Sequence, residues 1–355
     1  DQASVNTKPY INADGEEVDP TAINECIREL LQVFRQKMYL AYTATPFANI
    51  FIHHDRHHTI LGKDLFPESF IKTLDAPSNY FGPKRVFGLN DSEEFGLPIN
   101  RTVTDSGLKE SDFVPLKHKA DYIPENISES LREAIDSFIV SSAIRWFRGQ
   151  AKKHNTMLIH CTRYTSVQNR IAQLVREYVE KLSGDIVNHD TDTIKRLKNL
   201  YEKDHLPTTI SMYEASHSWN DILPNLSKVI RKLESNCLII NGTVGDILDY
   251  ANKKETGLWV IAVGGDKLSR GLTLEGLTVS YFTRTTSLYD TLMQMGRWFG
   301  YRTGFEDLCR IYTTKKLYDW YRNISTAFEV LRAELIEMER LRLTPREFGL
   351  RIISH

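Results

Sequence analysis

The 355-residue sequence is short of cysteine, of net charge and of long apolar runs. Its four cysteines, Cys26, Cys161, Cys237 and Cys309, stand far apart, so no pair has zinc-finger or redox spacing and no disulfide scaffold is expected. They read as reduced, buried thiols of a cytoplasmic protein. With 45 Lys+Arg against 46 Asp+Glu there is no protein-wide basic field, and any nucleic-acid contact has to come from local patches. The longest purely apolar runs, such as Leu258–Val263, fall far below the ~20 residues that cross a bilayer, so neither a membrane span nor a secretory segment is expected. What is present is ordinary for a globular protein: 41% hydrophobic and 26% charged residues, enough for a core in each of two or three domains. The chain opens on Asp1 rather than Met, which suggests a piece of something longer.

Asp19–Gln36 reads as a helix, capped by Asp19 with Pro20 at its first position and an apolar face of Ile23, Ile27, Leu30, Leu31 and Phe34. Met38–Thr43 reads as a buried strand. From His53 to Ile127, where half of the twelve prolines lie, no long periodic segment occurs; this predicts an irregular insertion. Helices are predicted from Ser128 to about Gly149, over Ser166–Leu182, and over roughly 190–204 and 220–234. Between and after them lie Met157–Cys161, Cys237–Ile240, Leu258–Val263, Thr278–Phe282 and Cys309–Tyr312, mainly apolar runs of strand length. Such runs suit strands covered on both faces, and alternation with helices predicts an α/β fold with a doubly wound, mostly parallel sheet. Tyr289–Phe299 and most of Lys315–Arg342 complete the helices.

Four segments could carry chemistry. Gly264–Thr273 follows a strand, and its glycines could admit phosphate to backbone N–H groups beside Lys267 and Arg270, although a plain structural turn would look the same. Gln294–Arg302 ends a helix with two arginines among glycines and aromatics, suited to phosphate recognition or to packing. Thr43–Pro46 closes a predicted strand. Cys161–Thr165 lies in a stretch, Ser137 to Arg176, that has no acid but includes Arg145, Arg148, Lys152, Lys153 and Arg163; phosphate-backbone contact and a solvated face both fit it. The histidine run His53–His58 has only Asp55 beside it, and reads as a loop rather than a metal site.

These segments, in this order, resemble superfamily-two helicase motifs. Thr43–Pro46 is similar to motif III, Met157–Gln168 to motif IV, Gly264–Thr273 to motif V and Gln294–Arg302 to motif VI. More closely, Tyr42–Asn49, Leu65–Glu68, Gly265–Leu277 and Gln294–Arg302 resemble the Z1 domain of helicase-like (DEAD–Z1) ATPases in bacterial restriction and defence systems. Asp1–Asn6 then resembles the tail of the acidic Walker B motif. The resemblance implies residues 1–52 as the end of a first RecA-like lobe, 53–127 as a Z1-specific insertion, 128–312 as the second RecA-like lobe and 313–355 as a C-terminal helical extension. It implies an ATP-dependent DNA translocase, with an endonuclease or a non-hydrolysing scaffold for a nuclease partner as alternatives.

The implied roles follow motif by motif. Arg297, Arg302 and Gln294 would be catalytic, the arginines as fingers on the γ-phosphate. Asp1, Gly265, Asp266, Arg270, Gly271 and Thr273 would serve the nucleotide. Thr43, Thr45, Thr162, Arg163, Arg145, Arg148, Lys152 and Lys153 would couple to or bind DNA. The sequence departs from the family pattern at Thr273, where the DEAD-box form has an Asp, and in the five-residue interval from Arg297 to Arg302, where three is usual. ATP with Mg²⁺, double-stranded DNA and a nuclease or DNA-recognition subunit are the implied cofactor and partners, with no membrane. No G-x-x-x-x-G-K-[ST] loop occurs in the chain, so by itself it is expected to bind no cofactor and to hydrolyse ATP negligibly.

Overall fold

The five apolar runs lie side by side. In the structure, a computed structural model, they form β4 (Asn155–His160), β5 (Cys237–Ile240), β6 (Trp259–Gly264), β7 (Leu277–Phe282) and β8 (Arg310–Thr313). Together with β3 (Asn100–Thr102) these strands make one parallel sheet in the order β3-β8-β7-β4-β6-β5. A separate antiparallel pair consists of β1 (His57–His58) and β2 (Gly62–Lys63). The structure describes residues 5–43, 47–50, 52–90, 95–213, 217–233, 237–240, 248–265, 273–285 and 289–348. Every residue of β4, β6, β7 and β8 is buried, which is why these strands are near-continuous apolar runs rather than alternating ones. Helices flank the sheet: Glu129–Phe147 packs on β7 and β8, and Thr165–Val187 on β5 and β6. The helix Glu129–Phe147 starts where its cap predicts, with Ser128 Oγ accepting from Leu131 N. This is the α/β architecture expected of a RecA-like lobe. Among the described residues no helix is long and apolar enough to cross a membrane.

The topology has one switch point. After β4 the chain turns to β5 and β6 on one side; after β7 it turns to β8 on the other. In open α/β sheets, ligands bind beyond the carboxyl ends of the strands at such a point. Here it falls between β4 and β7.

The chain divides into two compact units, residues 77–327, which hold the sheet, and residues 1–76 with 328–355. The division expected from composition, with an insertion over 53–127, falls elsewhere for a physical reason. Asn100–Thr102 pairs in parallel with Ile311–Thr313, and Phe81, Val86, Phe87, Ile99 and Val103 are buried in the same core as the sheet. The later half of the expected insertion therefore belongs to the lobe. The helix Lys315–Arg340, assigned to an extension, likewise begins in this unit, its Tyr321 hydroxyl donating to Leu292 O at 2.7 Å.

In the other unit the helix is shorter than expected, Ala22–Gln32, and follows Thr21 rather than Asp19. Its buried positions are Asn24 and Arg28, not the apolar stripe: Asn24 donates to Asp64 at 2.8 Å and Arg28 to Gly62 O, while Ile23, Leu30 and Phe34 are exposed. Met38–Thr43 is not a strand, and Met38 and Tyr42 are exposed, which corrects the buried-strand expectation. The histidine run closes the turn between β1 and β2. His58 Nδ1 accepts from Leu61 N at 3.2 Å, and its Nε2 lies 3.5 Å from Asp19 Oδ1.

Beneath the sheet edge, a π-helical turn at Tyr201–His205 interrupts the helices Thr191–Leu200 and Leu206–Tyr213. It turns Asp204 onto Arg310 of β8 (2.8 Å) and Arg101 of β3, and it turns His205 onto Ser137 Oγ (3.0 Å). Burial pushes His205 well below the ordinary histidine range, and the Arg310 charge adds to the effect. Folded His205 thus stays neutral while the unfolded chain takes up a proton below about pH 6.5. The unfolded state then binds more protons, so stability is expected to fall between about pH 7 and pH 5. Asp204 acts lower on the scale. Burial raises its carboxyl, but the Arg310 charge and the Arg101 hydrogen bond outweigh burial and hold it below the usual carboxylate range. Its contribution is therefore lost only as the pH falls well under about 4. Urea unfolding midpoints at about pH 7 and about pH 5.5 should show a smaller pH dependence for His205→Gln than for the wild type; equal dependence would remove His205 as the cause.

Candidate functional site

A cleft of about 530 Å³ opens at the switch point, beyond the carboxyl ends of β4 and β7. One wall is the turn Cys161–Tyr164 that leads from β4 into the helix Thr165–Val187, and another is Thr283–Thr285 after β7. The third comes from the segment without sequence periodicity, at Gly107 and Val114–Lys119. Lys117, Lys119, Arg163 and Arg284 line the cleft and, among the described residues, no Asp or Glu does, so its field is positive. Arg163 stacks on the Tyr164 ring (4.9 Å) and donates to the Tyr164 hydroxyl at 2.9 Å. Arg284 reaches His160 Nε2 at 3.1 Å.

His118 shapes this turn, and no motif in the sequence marks it. Its Nδ1 lies 2.6 Å from Pro115 O, a carbonyl that can only accept, so Nδ1 carries the proton. Nε2 is then the acceptor for the Thr162 hydroxyl at 2.6 Å, and Thr162 Oγ1 in turn accepts from Tyr164 N at 3.1 Å. Thr162 is buried, and its hydroxyl is committed within the turn. Gln168 is a second residue that sequence motifs leave without a role of its own. Its side-chain amide donates to Thr162 O at 3.1 Å, and a Cβ on Gly265 would strike that same amide. The loop after β4 and the loop after β6 therefore meet over Gln168. A lone Gln on an amphipathic helix carries no signal of this in the sequence.

The loop Gln294–Arg302 touches the same edge through Trp298. Trp298 packs on Phe282, the last residue of β7, with ring centroids 5.3 Å apart, and also against Phe87 and Tyr321. Phe81 and Gly300 pair their backbones, at 2.7 and 3.1 Å, and Gly300 takes φ +137°, which a side chain rarely adopts. Arg297, next to the Trp298 anchor, is half-buried, and burial lowers its pKa. Gln294 is half-buried on the helix Tyr289–Met295.

Arg302 differs. It is 7% exposed and donates to Tyr301 O (2.8 Å), Trp298 O (2.9 Å) and Arg297 O (3.5 Å), closing the loop on itself. The five-residue interval has turned this guanidinium inward, so the finger role expected for it has no exposed group to act with. Arg302→Ala should destabilise the lobe by about 2–3 kcal/mol, as expected for a charged donor withdrawn from buried carbonyls. Denaturant midpoints test this; a folded variant of wild-type stability with slowed catalysis would restore the finger.

The basic stretch does not form one surface. Arg145 is 1% exposed and lies at the amino edge of the sheet. There it donates to Asn155 Oδ1 (2.8 Å), Thr278 Oγ1 (3.0 Å) and His154 O (2.9 Å), its guanidinium 4.1 Å from the Phe305 ring centroid. Burial pushes its pKa down to about 10. Arg148 pairs in a fork with Asp307 at 2.7 and 2.6 Å. Lys152 and Lys153 are exposed, but they precede β4 and so lie at the amino edge, while Arg163 follows β4 at the carboxyl edge. Arg145 and Arg148 thus hold the fold together, which corrects their assignment to a DNA surface.

Gly265 follows β6 at the carboxyl edge, and exposed Thr273 precedes β7 on the way back to the amino edge. Thr43 is half-buried in the other unit. Asp1, Thr45, Asp266, Arg270 and Gly271 lie outside the described residues. Among the described residues, no group of three or more His, Cys, Asp or Glu could hold a metal ion. A family model described as the Z1 domain matches residues 130–355 of the chain. No curated protein and no solved structure matches it.

Proposed function

The chain belongs to the Z1 domain family, and from that premise we propose that it supplies the second motor lobe of an ATP-dependent DNA translocase in a bacterial restriction-type defence system. The observation that carries this reading is the meeting of the Cys161–Tyr164 turn after β4 with Gly265 after β6 over Gln168, at the same edge where Trp298 of the Gln294–Arg302 loop packs on the end of β7. A motor needs its nucleotide contacts and its nucleic-acid contacts on a common rigid frame, so that hydrolysis at one moves the other.

In this reading ATP with Mg²⁺ sits between this lobe and a preceding one that carries the phosphate-binding loop. Arg297 stabilises the charge that develops on the transferring γ-phosphoryl, with Gln294 on the same helix end. Gly265, Asp266, Arg270, Gly271 and Thr273 serve the nucleotide, and Asp1 is the last acid of the Walker B run. Thr43 and Thr45 couple hydrolysis to the DNA path. Arg163 touches the duplex backbone, a contact that carries no sequence information and suits a motor. A nuclease or DNA-recognition subunit supplies cleavage and site choice.

A nuclease reading of the chain itself needs carboxylates that converge on metal ions. Among the described residues the candidate group is Glu202-Lys203-Asp204, whose Asp204 is held by Arg101 and Arg310 and does not fit. A non-hydrolysing scaffold is separated from the motor by turnover. The complete protein should hydrolyse ATP faster with duplex DNA than without, and the 355-residue chain alone should hydrolyse it negligibly. Turnover by the chain alone at the rate of the complete protein would place the catalytic machinery elsewhere.

A further inference from the structure

The segment left without a role by the motifs, 105–124, is built into the lobe at several points. Asp105 Oδ2 accepts from Ser130 N at 2.9 Å, capping the helix Glu129–Phe147, and Ser106 Oγ lies 3.4 Å from Thr283 Oγ1. Gly107 takes φ +78°, which a side chain rarely adopts, and a Cβ there would meet Thr283 O at 3.0 Å, so glycine suits the close approach of the segment to the end of β7. The segment then turns back on itself, Phe113 N donating to Asp105 O (3.0 Å) and Gly107 N to Val114 O (2.9 Å), with Phe113 and Val114 buried in the core. His118 holds Thr162, Ser166 donates to Ala120 O, and Arg170 donates to Pro124 O at 3.1 Å. So many tethers make a fixed wall rather than a loose loop.

That wall presents Lys117 and Lys119, both exposed and, among the described residues, neither in an ion pair. They line the cleft together with Arg163 and Arg284. A run of cations with no acid among the described lining residues, at the switch point, matches a polyanion rather than a single small acid. We propose that the 105–119 segment is the second wall of a duplex-DNA backbone cleft, in which Lys117 and Lys119 take phosphodiester groups opposite the Arg163 turn. The identity of the polyanion rests on the motor reading. The positive surface thereby moves from the amino-edge pair Lys152 and Lys153 to the carboxyl edge.

The test is fluorescence anisotropy of a labelled mixed-sequence duplex titrated with the 355-residue chain across a potassium chloride series. Lys117→Ala/Lys119→Ala, at two exposed sites, should leave the circular dichroism spectrum and unfolding midpoint unchanged. It should weaken duplex binding by about tenfold or more near ~0.1 M salt and flatten the log–log salt slope by ~1.8, that is ~0.9 for each of two contacts, irrespective of base sequence. If the loss follows Lys152→Ala/Lys153→Ala instead, with the first pair silent, the DNA path runs along the amino edge and the proposal is overturned while the motor reading stands. If the Lys117/Lys119 variant weakens binding of a fluorescent ATP analogue but not of duplex, the cleft is a nucleotide site, and the proposal is overturned in the same way. If the wild-type chain binds no duplex at any salt, the cleft assignment and the DNA part of the motor reading fall together.

Discussion

In the complete protein, Arg297→Ala is expected to lower DNA-stimulated ATP turnover by about 10²-fold or more, in a variant that folds as the wild type does. Arg297 and Arg302 belong to one loop, yet their surroundings differ. Arg302 closes the loop from inside through three backbone carbonyls, whereas Arg297 is half-buried beside the Trp298 anchor and flanked by Gly296. A group that meets charge formed only in the transition state changes kcat far more than it changes ATP affinity. Binding of a non-hydrolysable ATP analogue should accordingly weaken only a few-fold, because in the proposed motor a preceding lobe would make most ground-state contacts. Arg297→Lys should recover little, since a point charge does not reproduce the guanidinium fork. Wild-type turnover in a folded Arg297→Ala protein would remove the finger from this residue.

The second large effect concerns folding. Arg310→Ala should destabilise the chain by about 3–5 kcal/mol, the range for breaking a buried ion pair by removing one partner. Arg310 is fully buried on β8 and donates to Asp204 Oδ1 at 2.8 Å and to the carbonyls of Asp307 and Cys309 at 2.8 and 2.7 Å. Its loss would leave Asp204 with Arg101 alone and uncover two carbonyls at the start of the strand. Asp204→Asn should cost a comparable amount, because it leaves the buried Arg310 cation without its counter-charge and sets an amide N–H against Arg101 Nε. Urea unfolding gives both values; an Arg310→Ala loss under about 1 kcal/mol would mean that water or a local shift replaces the network.

The sheet was legible because its physics is written locally. A strand buried on both faces must be apolar at nearly every position, and the runs that begin at Met157, Cys237, Leu258, Thr278 and Cys309 each lie within two residues of a strand. β3 was not legible for the same reason. Asn100-Arg-Thr102 is short and polar, an edge strand that pairs on one side only, and Arg101 is there to meet Asp204. The helix Ala22–Gln32 misled in the opposite direction. Its periodicity is real, but the inward face was chosen by the hydrogen bonds of Asn24 and Arg28, which no periodicity reports.

The candidate site was legible in part. Motif-bearing loops after β4 and β6 follow from strand assignment, since a loop after a parallel strand must lie at the carboxyl edge, whereas Gln294–Arg302 lies between a helix and β8 and touches that edge only through Trp298. Two things were hidden. The acid-free stretch from Ser137 to Arg176 is continuous in sequence, but β4 runs through the middle of it and sends Lys152 and Arg163 to opposite edges. The His118–Thr162 bond joins residues with a long stretch of chain between them, in a segment without periodicity, and only the fold brings them together.

Triplex displacement tests most directly whether the protein is an ATP-driven motor that moves along duplex DNA. A third strand bound to a duplex is released when a translocase passes, and the release is followed by fluorescence. The complete protein is expected to release the third strand with ATP and Mg²⁺, to leave it in place with a non-hydrolysable analogue, and to lose release with Arg297→Ala. ATP turnover indifferent to duplex DNA, with no third-strand release at any protein concentration, would contradict a DNA motor.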